Sequence, residues 1–302
     1  VYEGGEIPMY YDSMIAKLIV HGKDRTEAIE KMRSGEKQTL VVGMGHGACT
    51  CEGAAFEYVF NVEHEVRQAG VREMAEIIYL TNESELGDFG VGGMTFDIKG
   101  SKVSSEDWMT SLFQDRGVKV NHEHVLQAID LDKRIATYKT LTGTAEQKYD
   151  FINVVPPMRA PEVVRNSPLP WTEGPFAADG WVEVDRDTLR HKRYPNVFGV
   201  GDIAGVPKGK TAASVKWQVP VAVSHLIGDI SGKASSEVYN GYTSCPLITR
   251  LGQAMLIEFD YKDNLIMSFP GVIAPLEELW ISWVMKTMAL KPTYISMLRG
   301  RA

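Results

Sequence analysis

The chain has 302 residues, 44% hydrophobic and 24% charged, the composition of a folded soluble or membrane-surface protein of up to two ordinary domains and not of a disordered one. Its 32 basic and 39 acidic residues leave a net charge of −7, which argues against a general nucleic-acid binder, because neutralising phosphates needs a basic surface. The three cysteines, Cys49, Cys51 and Cys245, are too few for a secreted disulfide scaffold.

In chain order, the start at Val1 fits a fragment; no signal peptide is visible, and no apolar run reaches the roughly 18 residues of a spanning helix. Residues 10–22 form a strand-like run, and Asp24-Arg-Thr-Glu27 has the form of a capping box opening a short helix through Met32. From Thr39 the pattern becomes strand (39–42), glycine turn (Gly43-Met-Gly-His-Gly-Ala48) and a long amphipathic helix from Glu52 to Gln68 closed by Gly70. Residues 76–81 supply the second strand, as a doubly wound βαβ unit requires.

A helix is expected over 105–116, then short antiparallel strands over 118–120, 124–130 and 134–139. Residues 149–155 read as a buried strand ending in the breaker pair Pro156-Pro157. Strands are expected over 180–185 and 197–200, a helix over 211–226, and a strand-rich region from Tyr239 to Phe269. Leu276, Leu279, Trp280, Trp283, Val284 and Met288 recur at helical spacing beside Lys286 and Lys291. Such a helix is too short to cross a bilayer and suits either its surface or a protein core.

Several of these elements end in residues suited to chemistry. Gly43, Gly45 and Ala48 fit the G-x-G-x-x-G/A fingerprint, in which small residues let a pyrophosphate approach a helix N-terminus. The first acidic candidate for a ribose, Glu83, stands far beyond the usual spacing, so NAD recognition is not expected. Cys49 and Cys51 fall at the start of the same helix, where the positive dipole end favours a thiolate; inert core cysteines are the alternative. Their spacing is too tight for C-x-x-C and two cysteines cannot complete a zinc site, so a functional pairing with a distant sulfur is expected, and Cys245 supplies one.

The 197–200 run ends in Gly201-Asp202, where glycine allows a ligand close to the backbone and the carboxylate can accept from a ribityl or ribose hydroxyl; alone it would be an ordinary turn. Lys208 and Lys210 follow one loop later, either as surface lysines or as a cation stabilising an anionic reduced flavin, with Thr211 at the next helix start. Two thiols brought against a flavin would form a two-electron relay, in which sulfide attacks a disulfide, a persulfide forms and the remaining thiolate passes electrons on. His122 and His124 have period-two spacing, but no third metal ligand of matching placement is evident.

Two resemblances carry these readings further. The string Tyr10-Tyr-Asp-Ser-Met-Ile-Ala-Lys-Leu-Ile19 resembles the C-terminal part of biotin carboxylase, without the ATP lid and metal-binding carboxylates of that enzyme, so residues 1–36 are expected to be an appendage. From about Thr39 to Ala302 the chain is similar to the sulfide:quinone oxidoreductases. The strings that carry this are Gly47-Ala-Cys-Thr-Cys-Glu-Gly-Ala-Ala-Phe-Glu-Tyr58, Tyr149-Asp-Phe-Ile-Asn-Val-Val-Pro-Pro157, Tyr194-Pro-Asn-Val-Phe-Gly-Val-Gly-Asp202, Lys210-Thr-Ala-Ala213 and Tyr242-Thr-Ser-Cys-Pro-Leu247.

The second resemblance implies an α/β fold of Rossmann-like three-layer domains of the disulfide-reductase type, with a C-terminal membrane-facing region. It implies Cys51 and Cys245 as redox cysteines, Gly201, Asp202, Lys210 and Thr211 as cofactor-binding residues, FAD as cofactor, and sulfide and quinone as substrates. It further implies a peripheral position on a bacterial or archaeal cell membrane, with no nucleic-acid partner and a homo-oligomer left open. The family's N-terminal FAD-binding βαβ unit has no counterpart in the sequence, so weak flavin binding by this polypeptide alone is expected.

The corresponding divisions are 1–36 (biotin-carboxylase-like), 37–145 (second dinucleotide-binding-like domain), 146–235 (C-terminal half of an FAD domain) and 236–302 (redox-cysteine strands and membrane helices). The alternatives are an NAD(P)-linked disulfide or thiol oxidoreductase and an inactive fusion carrying a carboxylase fragment.

Overall fold

The computed structural model describes residues 19–20, 25–45, 52–87, 93–98, 100–155, 158–262 and 264–301. Its main sheet has the order β1 (Ile19–Val20), β10 (Phe151–Val155), β2 (Gln38–Met44), β3 (Ala75–Leu80), β6 (Lys119–Asn121). The last four are parallel and β1 runs antiparallel along β10, with Ile19 opposite Ile152 and Val20 opposite Phe151.

The period of two along each strand decides what each face packs against. Leu40, Val42 and Met44 of β2, Ala75, Ile77 and Tyr79 of β3, and Phe151 and Val155 of β10 turn to one side. There they meet Phe56, Val59 and Phe60 of α2 (Glu52–Gln68) and Trp108, Met109 and Phe113 of α3 (Ser105–Asp115). Val41, Ile78, Leu80 and Ile152 turn to the other side, against Ala136 and Tyr138. Those two residues belong to an antiparallel meander of β7 (Val125–Asp130), β8 (Ile135–Thr140) and β9 (Gly143–Lys148). Helices, parallel sheet and meander make the three layers expected from the sequence.

Gly43 is fixed by the closeness of β2 and β3, because a Cβ there would overlap the carbonyl of Leu80. Of the glycine fingerprint, Gly43 and Gly45 lie in or beside β2, and Gly45 N–H donates to the Val155 carbonyl at 2.9 Å, so it extends the sheet. Ala48, Cys49 and Cys51 lie outside the described residues, as do Pro156 and Pro157.

The second helix matches the expected limits, and α3 begins where Ser104 accepts from the Asp107 amide at 2.9 Å. Three local expectations are corrected. Residues 118–120 are not an antiparallel strand: β6 lies parallel to β3, because the α3 crossover returns the chain in the same direction. The 180–185 and 197–200 runs form only single bridges, Val182 with Ala204, Val184 with His191 and Arg190 with Phe198. The Asp185 carboxylate captures the amides of Asp187 and Thr188 and closes a turn where a ladder would have continued. A hairpin of β4 (Thr95–Ile98) and β5 (Ser101–Ser104) stands in a stretch that gave no strand signal.

Residues 25–33 form α1 (Arg25–Arg33), whose Met32 is buried in the same core as α2, while Arg25 pairs with Glu65 at 3.0 Å. A third core of Val182, Val184, Leu189, Ala204, Val206, Val221 and Tyr239 joins the loops after the short α4 (Glu162–Arg165) to α5 (Ala212–Ser231). The chain then forms the ribbon β11 (Thr243–Arg250) and β12 (Gln253–Phe259), followed by α6 (Trp280–Val284), a π-helical turn over Met285–Ala289 and α7 (Leu290–Leu298).

The C-terminal helix departs from the single apolar face read from the sequence. It begins only at Trp280, so Leu276 and Leu279 precede it; Trp280 is exposed while Trp283 and Val284 are half-buried, and Met288, exposed, lies in the π turn, which departs from the 3.6-residue spacing.

Candidate functional site

A cavity of about 930 Å3 lies where α2, β11, the N-terminus of α5 and the C-terminal helices meet. It gathers Cys245, Asp202, Lys210 and Thr211. Gly201, the remaining cofactor candidate, is buried beside Asp202 in a short 3-10 turn.

Each of these side chains is positioned by its neighbours. Gly201 has φ +73°, the left-handed region that favours glycine, and its N–H donates to Gln218 Oε1 at 2.6 Å. The other end of that buried amide, Gln218 Nε2, donates to the Gly209 carbonyl at 3.0 Å. One side chain on α5 thus ties together the two loops that present Asp202 and Lys210.

Lys210 Nζ donates to the backbone carbonyls of Asp202 and, at 2.7 Å, of Ala204, and lies 3.6 Å from the centre of the Trp181 ring. Burial pulls its ammonium down to about 7, opposed in part by the charges of Asp202 and Asp179. The Asp202 carboxyl is raised by partial burial, with Lys210 acting the other way. Thr211 caps α5: its hydroxyl accepts from the Ser214 amide at 3.2 Å, and Ala212 and Ala213 bring the first turn of the helix to the cavity wall.

The reading of Lys208 as a surface lysine is corrected: it is buried, donates to the Asp260 carbonyl at 3.0 Å and lies 5.6 Å from the Phe259 ring centre. His124 contacts the His122 carbonyl through Nδ1, and among the described residues no cluster could hold a metal ion.

Cys245 falls within the stretch expected to be rich in strands: it is a half-buried residue inside β11, opposite Ile257, and the following Pro246 is accommodated in a two-stranded ribbon with open edges. Cys49 and Cys51 lie outside the described residues, but α2 starts one position after Cys51, and its Gly53 and Ala54 line the cavity with Cys245.

Three cavity residues went unrecognised in the sequence. Glu57 of α2 forms an ion pair with Lys286 of the π turn, and accepts from the Ile248 amide at 3.2 Å. Lys286 also donates to the Pro246 carbonyl at 2.7 Å, and Asn61 Nδ2 donates to the Ile248 carbonyl at 2.9 Å. These bonds clamp the cysteine-bearing strand between α2 and the C-terminal helix. The only sequence signal was the spacing of Glu57 and Asn61, one helical turn apart on the face of α2 that meets β11.

The cavity therefore offers a cation, a carboxylate, a helix N-terminus and small residues on one wall, with a thiol on another, which suits a planar anionic cofactor against a sulfur.

Comparison with known proteins gives the chain its relatives. The biotin carboxylase C-terminal domain family matches residues 1–52. The mitochondrial sulfide:quinone oxidoreductase of Mus musculus is 34% identical over 73% of this chain and 45% of that protein. The mitochondrial sulfide:quinone oxidoreductase of Dictyostelium discoideum is 33% identical over 83% of this chain and 51% of that protein. The crystal structure of the sulfide:quinone oxidoreductase of Aquifex aeolicus superposes with a TM-score of 0.70 at 21% identity, covering 94% of this chain and 68% of that one, and so shares the fold.

The chain thus spans about half the length of the curated relatives it matches. Over most of its length it is related to the sulfide:quinone oxidoreductases, behind an N-terminal segment of the biotin carboxylase kind.

Proposed function

We propose that this chain carries the sulfur-handling and flavin-ring half of an FAD-dependent sulfide:quinone oxidoreductase. The observation that supports it is the common cavity of Cys245, Asp202, Lys210, Thr211 and the first turn of α2. Asp202 and the α5 N-terminus would hold the cofactor by its hydroxyls and its ring oxygens, and Lys210 would neutralise a reduced ring. The flavin, when bound, supplies a two-electron acceptor that can pass electrons on to a quinone.

Sulfur chemistry falls to Cys245 with Cys51. In the oxidised protein, where the two would be joined as a disulfide, hydrosulfide would attack one of its sulfurs, leaving a persulfide on one cysteine and a thiolate on the other, and that thiolate would be the electron donor. Glu57 and Lys286, paired on the cavity wall, are the groups available to hydrogen-bond a quinone carbonyl and move protons to it.

A membrane surface is the source of quinone. Trp280, Met288, Leu290, Tyr294 and Leu298 are exposed on the C-terminal helices, with Lys291 and Arg299 among them, as a helix lying in the headgroup region requires. No helix among the described residues is long and apolar enough to cross a membrane. The mitochondrial names of two relatives point away from the bacterial or archaeal cell membrane expected from the sequence.

The test is reduction of a soluble quinone analogue by sulfide, with added FAD and the full chain, in parent and Cys245→Ser. Activity in the parent, lost in the variant, supports the proposal. Oxidation of NADH without sulfide, unchanged in Cys245→Ser, would replace it with the NAD(P)-linked reading.

A further inference from the structure

Glu57, Arg159, Asp202, Lys210 and Lys286 are the charged side chains on the wall of the cavity that holds Cys245. Four of them are engaged with one another or with the backbone. Glu57 and Lys286 form their ion pair, and Lys210 donates to the carbonyls of Asp202 and Ala204 beside the Asp202 carboxylate. Arg159 differs: it is exposed, and among the described residues its guanidinium has no hydrogen bond, ion pair or aromatic ring.

The root of that side chain is nevertheless fixed. Met158 packs against the same core as Cys245, and the fully buried Ala160 donates its amide to the Asp179 carbonyl at 2.8 Å and accepts from Arg165 Nε at 3.0 Å. The loop after β10 thus brings to the cavity a cation that no described residue uses. On a convex surface a lone arginine is ordinary, but in a concavity with apolar walls its field is focused, and Met158, Trp181, Leu247 and Leu290 supply such walls here. A guanidinium keeps its charge at any working pH, whereas burial holds Lys210 at about 7, so above neutrality Arg159 is the uncommitted positive charge among the described cavity residues. With a net charge of −7, the chain as a whole repels anions that this wall attracts.

We propose that Arg159 selects by charge what reaches Cys245, drawing small anions into the cavity while neutral molecules gain no such advantage. It acts on the approach of the reactant and not on bond-making, so it determines specificity and is not a catalytic residue. That the anion is hydrosulfide rests on the function proposed above; the selection by charge does not.

The experiment alkylates the full chain, kept reduced with a phosphine at about pH 8, with iodoacetate, an anion, or with iodoacetamide, its neutral analogue, and follows the Cys245 peptide by mass spectrometry. In Arg159→Gln the iodoacetate rate is expected to fall about three- to tenfold while the iodoacetamide rate is unchanged. Arg159→Lys should keep the ratio of the parent, and about 0.5 M salt should bring the parent down to the ratio of Arg159→Gln. Equal ratios in parent and Arg159→Gln, an equal fall for both reagents, a ratio lost in Arg159→Lys as well, or a Cys245 that neither reagent reaches overturns the proposal. In the quinone-analogue assay, Arg159→Gln should raise the KM for sulfide by a similar factor with kcat unchanged, and an active parent whose KM does not respond also overturns it. A shifted alkylation ratio in a chain that oxidises no sulfide upholds the selection by charge and counts against the sulfide reading alone.

Discussion

Glu57 and Lys286, 229 positions apart, form an ion pair on the cavity wall, and the same ammonium holds the carbonyl of Pro246, the neighbour of Cys245. Both side chains are only about a quarter exposed, so removing one partner strands the other partly out of water. Lys286→Met is expected to destabilise the chain by about 1–3 kcal/mol in urea unfolding. Pairing it with Glu57→Gln should recover part of the loss, which a double-mutant cycle would measure. Strict additivity of the two changes would show that the pair does not couple the helices.

The Gln218 amide satisfies Gly201 N–H and the Gly209 carbonyl at once, inside the protein. Gln218→Leu leaves both buried groups without a partner, and a loss of about 2–4 kcal/mol is expected, with each orphaned group costing about 1–3 kcal/mol. Chemical denaturation checks the size. Limited proteolysis, quickened at 201–210, would check the place.

Lys210 gives a pH dependence of defined sign. Its ammonium is held at about 7 in the folded chain against 10.5 unfolded, so above about pH 7 the unfolded state binds the extra proton. Its contribution therefore makes stability rise with pH from about 7 towards 10.5. In Lys210→Met this part of the rise disappears, as urea midpoints taken at about pH 6.5 and 9.5 would reveal. An equal slope in both proteins would refute the assignment.

Gly43 admits no side chain because the Leu80 carbonyl occupies the place of its Cβ. Gly43→Ala must push β2 and β3 apart, at about 1–3 kcal/mol or more. The effect should appear as a lowered melting temperature, and a neutral result would mean that the strand pairing is looser than described.

The parts of this fold legible in the sequence are those with strong periodicity. The helix Glu52–Gln68 and the strands at 38–44, 75–80 and 151–155 follow from apolar spacing and glycine punctuation. The meander strand β9, with the sequence GTAEQK, has almost no apolar signal because it is the exposed edge of its sheet. The 197–200 run looked like a strand because it is apolar, but it buries that surface among loops.

Asp202, Lys210 and Cys245 could be picked out from their motifs, and the fold brings them to one cavity. Glu57 and Lys286 could not, because an ion pair across 229 positions leaves no local trace, and a π turn is invisible to a 3.6-residue period. Gln218 reads as one polar residue in a helix until its two acceptor and donor partners are seen.

The two-residue strand β1 has an outcome larger than its length. Without it, β10 would offer Phe-Ile-Asn-Val-Val as an open border, uncharged and rich in β-formers, the kind of segment on which chains stack into insoluble fibrils. A segment resembling part of an unrelated carboxylase thus serves as a guard rail against self-association. Trimming the protein to begin at Gln38 should yield material that clouds on concentration even where its helices remain intact.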